Sequence, residues 1–161
     1  MPVFISHRSA DNEIAGAVAF RLKSVHQIMC YVDDIDQRLK SASQQDVTRI
    51  LVDMVNKCTN LLAVITKNTE GSWWVPFEVG VAKQAPRVIC SMTNLADASL
   101  PGYLMEWPRL RGDKAVDEFA GLYKLQQKKL NEDILQKRAS ASAQLTTVDD
   151  FHRKLKAVLG Q

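Results

Sequence analysis

Residues 61–92 read LLAVITKNTEGSWWVPFEVGVAKQAPRVICSM. Leu61 to Ile65 is a short, continuously apolar run, the pattern of a strand buried on both faces. Thr66 to Gly71 is rich in turn residues. Ser72 can cap a helix that runs through Trp74, Phe77 and Val81 towards Gln84. Pro76 falls in the first turn of that helix, where a missing N–H costs least. Pro86 ends the helix, and Arg87 to Met92 is again an apolar strand. Strand, helix, strand, with both strands apolar throughout, is the repeating unit of a parallel sheet covered by helices.

The same alternation extends in both directions. Val3-Phe4-Ile5 is a strand near the N-terminus. A helix follows from about Ala10, with Ile14, Val18 and Leu22 along one face. Ile28 to Val32 is a second strand, closed by the acidic run Asp33-Asp34-Ile35-Asp36, and residues 37–45 read as a long polar loop. Asp46 is placed to cap a helix whose Val47, Ile50, Leu51, Met54 and Val55 share a face. Beyond Met92, residues 93–112 lack a period and read as irregular, with a short edge strand near Leu104. Two helices finish the chain, Lys114 to about Arg138 and Val148 to Leu159. A Ser/Ala/Thr linker over 140–147 separates them, and Gly160 sits where a helix C-cap belongs. Right-handed crossovers turn this order into a flavodoxin-like, doubly wound parallel sheet of about five strands, with additional C-terminal helices at 114–159. A chain of 161 residues reads as a single domain, 1–161. Ligands bind such sheets beyond the carboxyl ends of the strands. That rule selects three loops: Ser6 to Ser9, Asp33 to Gln45, and Thr66 to Ser72 with its following helix.

Composition excludes several classes. Hydrophobic residues at 46% and charged residues at 24% describe a globular chain. Lys plus Arg is 21 against 18 for Asp plus Glu, and the cations are scattered, so nucleic acid is not an expected partner. No apolar run approaches the roughly 18 residues of a membrane span, and no export signal leads the chain. Cys30, Cys58 and Cys90 form no CxxC pair and read as buried thiols in a reducing, cytoplasmic compartment. No resident metal or cofactor is expected.

The phosphate-binding signatures are missing. The turn after the first strand is Ser6-His7-Arg8-Ser9 rather than GxGxxG, and no GxxxxGK[ST] occurs. Asp33-Asp34 is similar to the metal-binding carboxylates of phospho-accepting receiver domains. Such a domain needs an aspartate at the end of its third strand, where this chain has Thr66-Lys67, so that reading is set aside. In Ser72-Trp73-Trp74-Val75-Pro76-Phe77-Glu78, Trp74 and Glu78 are spaced i, i+4 on one helix face. A carboxylate beside an indole is partly desolvated, which favours hydrogen bonding to a sugar hydroxyl. Trp74 and Phe77 offer faces for a planar heterocycle. Spacing alone equally fits two core tryptophans and a solvated first-turn acid. His7 reads either as a base or stacking group or as an exposed loop residue. His26 and His152 read as surface residues, and Cys30 and Cys90 as core. The helix face over 124–138 reads as solvated.

Taken together, four segments resemble a known family. Val3-Phe4-Ile5-Ser6-His7-Arg8-Ser9-Ala10-Asp11 resembles the opening strand of Toll/interleukin-1 receptor (TIR) domains. Tyr31-Val32-Asp33-Asp34 is similar to the strand leading into the family's BB loop. Leu61 to Thr66 is similar to its third strand, and Ser72-x-Trp74-x-x-x-Glu78 to its S-x-W-x-x-x-E helix start. The order and spacing match over residues 2–92; after Met92 no family motif is evident. Unlike many members, this chain has neither glycine nor proline in the loop 33–45.

The resemblance implies an activity and its residues. In NAD+-consuming TIR domains the glutamate of that helix is catalytic, and here it falls on Glu78. It engages the nicotinamide ribose as the N-glycosidic bond breaks, where a carboxylate stabilises an oxocarbenium-like centre. Trp74 and Phe77 match positions around the base or ribose. Ser6, His7 and Arg8 match the loop lining the same cleft, with Arg8 suited to the pyrophosphate. Asp33 matches the acidic residue that opens the BB loop. The implied protein is a stand-alone bacterial-type NAD+ glycohydrolase or ADP-ribosyl cyclase, similar to the TIR enzymes of antiphage systems such as Thoeris. NAD+ is then substrate, the product signals to a separate effector, and copies associate head-to-tail through the loop 33–45. A non-catalytic TIR adaptor and a nucleoside deoxyribosyltransferase-like enzyme remain as alternatives. Dispensability of Glu78 would favour the first, and turnover of deoxynucleosides the second.

Overall fold

The computed structural model describes residues 2–32, 44–135 and 141–161. Five parallel strands form one sheet in the order β2-β1-β3-β4-β5: β1 Val3–Ser6, β2 Cys30–Val32, β3 Asn60–Ile65, β4 Val88–Thr93 and β5 Arg109–Leu110. The helices are α1 Asn12–Ser24, α2 Gln44–Asn56, α3 Trp74–Lys83, α4 Gly112–Leu135 and α5 Ala141–Leu159. Side chains alternate across the sheet. Val3, Ile5, Leu62, Val64 and Cys90 pack against Val18 and Leu22 of α1, Phe119 of α4, and Phe151 and Leu155 of α5. Phe4, Leu61, Ala63 and Ile89 face the other way, against Val55 of α2 and Val75, Val79 and Ala82 of α3. This is the doubly wound architecture expected from the apolar strands.

Several local expectations change. The fifth strand is Arg109–Leu110, not a segment near Leu104. Leu104 lies in a 3-10 turn, Gly102–Glu106, where its N–H is used locally by the Pro101 carbonyl (3.0 Å) and is lost to any ladder. Asp46 sits inside the first turn of α2 rather than capping it. The stretch 141–147, read as linker from its small polar residues, is helical, and buried Thr147 and Val148 anchor it. Residue 140 of that expected linker and the end of the helix expected before it, from 136 on, lie outside the described residues. Gly160 does terminate α5, at φ +70°, with the Gln161 N–H returning to the Lys156 carbonyl at 2.9 Å.

Because β5 is only two residues long, part of β4 has no strand beside it. Ser91 donates its N–H to the Pro108 carbonyl (3.0 Å), but the Ile89 N–H donates instead to His152 Nε2 of α5 (3.0 Å). Gln161 treats the outer side of β5 similarly: Oε1 accepts the Arg109 N–H at 2.9 Å and Nε2 donates to the Arg109 carbonyl at 2.6 Å. The C-terminal helix thus closes an open sheet edge with side chains. His152 is therefore no surface residue. Nor is His26, whose Nε2 meets Asp117 Oδ1 at 2.7 Å in a cluster with Arg21. Cys90 is core, as expected, while Cys30 lies on the edge strand β2, partly covered. Burial pushes the Cys30 and Cys58 thiols up to about 11 and Cys90 higher still, which disfavours the reactive thiolate.

Candidate active site

At the carboxyl end of the sheet, β1 ends in Ser6, which is fully buried. Ser6 pairs in register with Ala63, and Ala63 with Ser91. By the two-residue period, these three small side chains lie in one row on the face covered by α3. The hydroxyls of Ser6 and Ser91 have no hydrogen-bond partner among the described residues.

The next residue corrects an expectation. His7 is 3% exposed, and its Nε2–H donates to Asn12 Oδ1 at 2.7 Å. It fastens the loop to the first turn of α1 rather than lying exposed. Arg8 reaches across to the following loop and donates through Nη1 to the Asn68 carbonyl. One of its five N–H donors is thereby used.

Asp11 carries more of this region than its place in the opening motif indicated. It is 2% exposed, and its carboxylate accepts from Thr66 Oγ1 (2.9 and 3.0 Å) and from Asn68 Nδ2 (2.7 Å). The Thr66 N–H donates in turn to Thr69 Oγ1 (3.0 Å), and the Thr69 carbonyl accepts the Ser72 N–H (2.9 Å). Ser72 Oγ then accepts the Val75 N–H at 3.4 Å, at the start of α3. A continuous chain of hydrogen bonds thus runs from Asp11 to the helix that carries Glu78. An acidic residue eight positions after the start of β1 was its only signal in the sequence.

On α3, the buried residues are Val75, Glu78, Val79 and Ala82. Glu78 is 0% exposed and lies in the second turn, so it is not a solvated first-turn acid. The two tryptophans separate. Trp73 is 89% exposed, whereas Trp74 packs on Val47 and Leu51 of α2. Trp74 meets Phe77 edge to face, with ring centroids 5.9 Å apart and planes at 89°. The structure therefore gathers Glu78, Trp74 and Phe77 on one short helix. It places Ser6 on the sheet face below that helix and ties Arg8 to the loop that precedes it. Asp33 and the rest of the expected BB loop, up to residue 43, lie outside the described residues. Among the described residues, no three His, Cys, Asp or Glu side chains are grouped to hold a metal ion.

A family model described as TIR domain matches residues 3–126. The chain belongs to the TIR domain family. No curated protein matches it. The TIR match runs past Met92, where the sequence carries no evident motif, through β5 and into α4. Ser6 thus ends the first strand of a TIR sheet, and Trp74 opens the helix that follows β3. No described helix of this TIR domain is long and apolar enough to cross a membrane.

Proposed function

We propose that this TIR domain cleaves the nicotinamide–ribose bond of NAD+, with Glu78 as the catalytic carboxylate. The observation that carries the reading is a carboxylate with no exposed surface, one helical turn from Trp74, at the ligand-binding end of the sheet. Ser6 and Ala63 are small side chains on the sheet face that α3 covers. As the N-glycosidic bond lengthens, positive charge develops on the ribose, and a fixed carboxylate shielded from water stabilises it strongly. Neutral nicotinamide leaves with the bonding electron pair. Water, or a nucleophilic atom of the adenine within the same molecule, then takes the anomeric carbon, giving ADP-ribose or its cyclic form. Trp74 and Phe77 shape the wall around the ribose and base. Arg8, held near the site through Asn68, offers its remaining donors to the pyrophosphate.

In this reading the product is a soluble signal for a separate effector, as in antiphage defence, and copies of the domain meet head-to-tail through the loop 33–45. The test is incubation of concentrated protein with NAD+ and chromatography of the products. Wild type releases nicotinamide. Glu78→Gln, which keeps the size and removes the charge, slows release by about 10²–10³ and stays folded. Release by Glu78→Gln within a few-fold of wild type would remove Glu78 from the chemistry, and no release by wild type would leave the adaptor role. That second reading draws on exposed apolar side chains, among them Phe20 at 71% and Met29 at 66%.

A further inference from the structure

A cavity of about 730 Å³ lies between the loop Thr66–Ser72 and the segment 95–104, and Glu78 does not line it. None of Ser6, Arg8, Trp74, Phe77 or Glu78 contributes to its wall. Its volume falls in the range of small-molecule sites, roughly 300–1,000 Å³.

Both walls are fastened. Thr66 is held by Asp11 and by Thr69, as described above. Across the cavity, Asp97 accepts from Arg109 Nε (3.0 Å) and from Arg111 Nη2 (2.7 Å), and Arg111 also donates to the Leu95 carbonyl at 2.7 Å. The lining sorts by chemistry. Leu100 and Leu104 are buried and apolar, Tyr103 brings an aromatic ring to the wall, and Pro76 adds a saturated apolar one. Lys67 and Glu70 are exposed and form the charged part of the rim.

We propose that this cavity is a second ligand site, separate from Glu78, that takes a nucleoside 5′-monophosphate. The apolar floor and the Tyr103 ring accept a planar base. Glu70 accepts from ribose hydroxyls, and Lys67 meets one phosphate. A single lining cation beside a carboxylate suits one phosphate and not a polyphosphate. Ser72, just before α3, and Pro76, in its first turn, belong to the cavity wall, so an occupant touches the base of the helix that bears Glu78.

Calorimetric titration tests this with AMP, adenosine and ribose 5-phosphate as probes, on wild type and on S99W, K67Q and E78Q. Ser99 lines the cavity and is exposed, so an indole there fills the mouth. AMP is expected to bind saturably, and ribose 5-phosphate, lacking the base, at least about tenfold more weakly. S99W is expected to weaken AMP by at least about tenfold, and K67Q to bring AMP down to the affinity of adenosine. Lys67 is a surface residue, so K67Q carries the test even if S99W does not fold. E78Q keeps AMP binding at the wild-type level, and nicotinamide release plays no part in the readout. Failure of the proposed activity is thereby kept apart from failure of the site. The proposal is overturned by no saturable AMP binding up to about 5 mM. It is equally overturned by ribose 5-phosphate binding as well as AMP, or by an AMP affinity that neither S99W nor K67Q changes.

Discussion

Acidification is expected to strike the docking of α5 through one side chain. His152 is mostly buried, and its Nε2 accepts the Ile89 N–H at 3.0 Å, which only the neutral ring can do. Burial lowers its pKa from 6.5 to about 4, with Lys156 and Lys83 adding to the fall and Asp149 opposing it. In the unfolded chain the ring titrates near its ordinary value. The neutral form is favoured by folding, so the contribution is complete above about pH 6.5 and is lost as pH falls through about 4. The gap of about 2.5 pH units corresponds to about 3 kcal/mol in full, and to about 2 kcal/mol between pH 7 and pH 4.5. Asp97 and Asp150 are held below the carboxylate range by Arg111 and Lys154, so their losses begin at lower pH. Urea unfolding at pH 7 and pH 4.5 measures the difference directly. His152→Gln retains a hydrogen-bond acceptor but cannot titrate. It is expected to show a much flatter pH response than wild type over this interval. Equal slopes for the two proteins would refute the assignment of the pH dependence to His152.

Three other perturbations reach the candidate site. Trp74→Ala removes a half-buried indole from Val47 and Leu51, costing about 2 kcal/mol and lowering Tm by about 4–8 °C; in the proposed activity it also lowers turnover or changes the ratio of linear to cyclic product. Asp11→Ala strands the buried Thr66 hydroxyl and the Asn68 amide, costing about 2–3 kcal/mol, and it loosens the loop leading to α3. Nicotinamide release should then fall further than thermal unfolding at the assay temperature explains, and unchanged release would detach Asp11 from the site. If head-to-tail association completes the cleft, specific activity rises with protein concentration, and substitutions at Asp34 or Arg38, outside the described residues, blunt the rise. A monomer by light scattering with constant specific activity would refute that dependence.

The sheet was legible because its strands are buried on both faces. Val3 to Ile5, Leu61 to Ile65 and Val88 to Cys90 are apolar without alternation, and only parallel strands between two helix layers require that. What the sequence hid depends on contacts distant along the chain. Arg109–Leu110 is too short to show a period, and its outer side is satisfied by Gln161, 52 residues later. His152 looks like any polar residue on a helix until the short β5 leaves the Ile89 N–H open. The motif at 72–78 gave the position of Glu78, but i, i+4 spacing cannot separate a solvated acid from a buried one. That distinction came from the sheet face beneath the helix. Asp11 was visible as a residue and invisible as a clamp, since its partners Thr66 and Asn68 lie more than 50 positions away.

Polar side chains inside this fold serve two different ends. His152 and Gln161 answer backbone groups that the truncated β5 leaves without a strand, and any chain with so short an edge needs such answers. Asp11, Arg8 and His7 pin the loops that border α3. Glu78 lies elsewhere in the fold. It stands in the second turn of its helix, between Val75 and Val79, among residues that fill the core against the sheet. Taking a carboxylate out of water carries a cost that a leucine or methionine at the same place would not. In the proposed activity that carboxylate has a use, stabilising the positive charge that develops on the ribose. The loop clamps beside it are consistent with the same demand, since such a charge is stabilised only by a group already held in place.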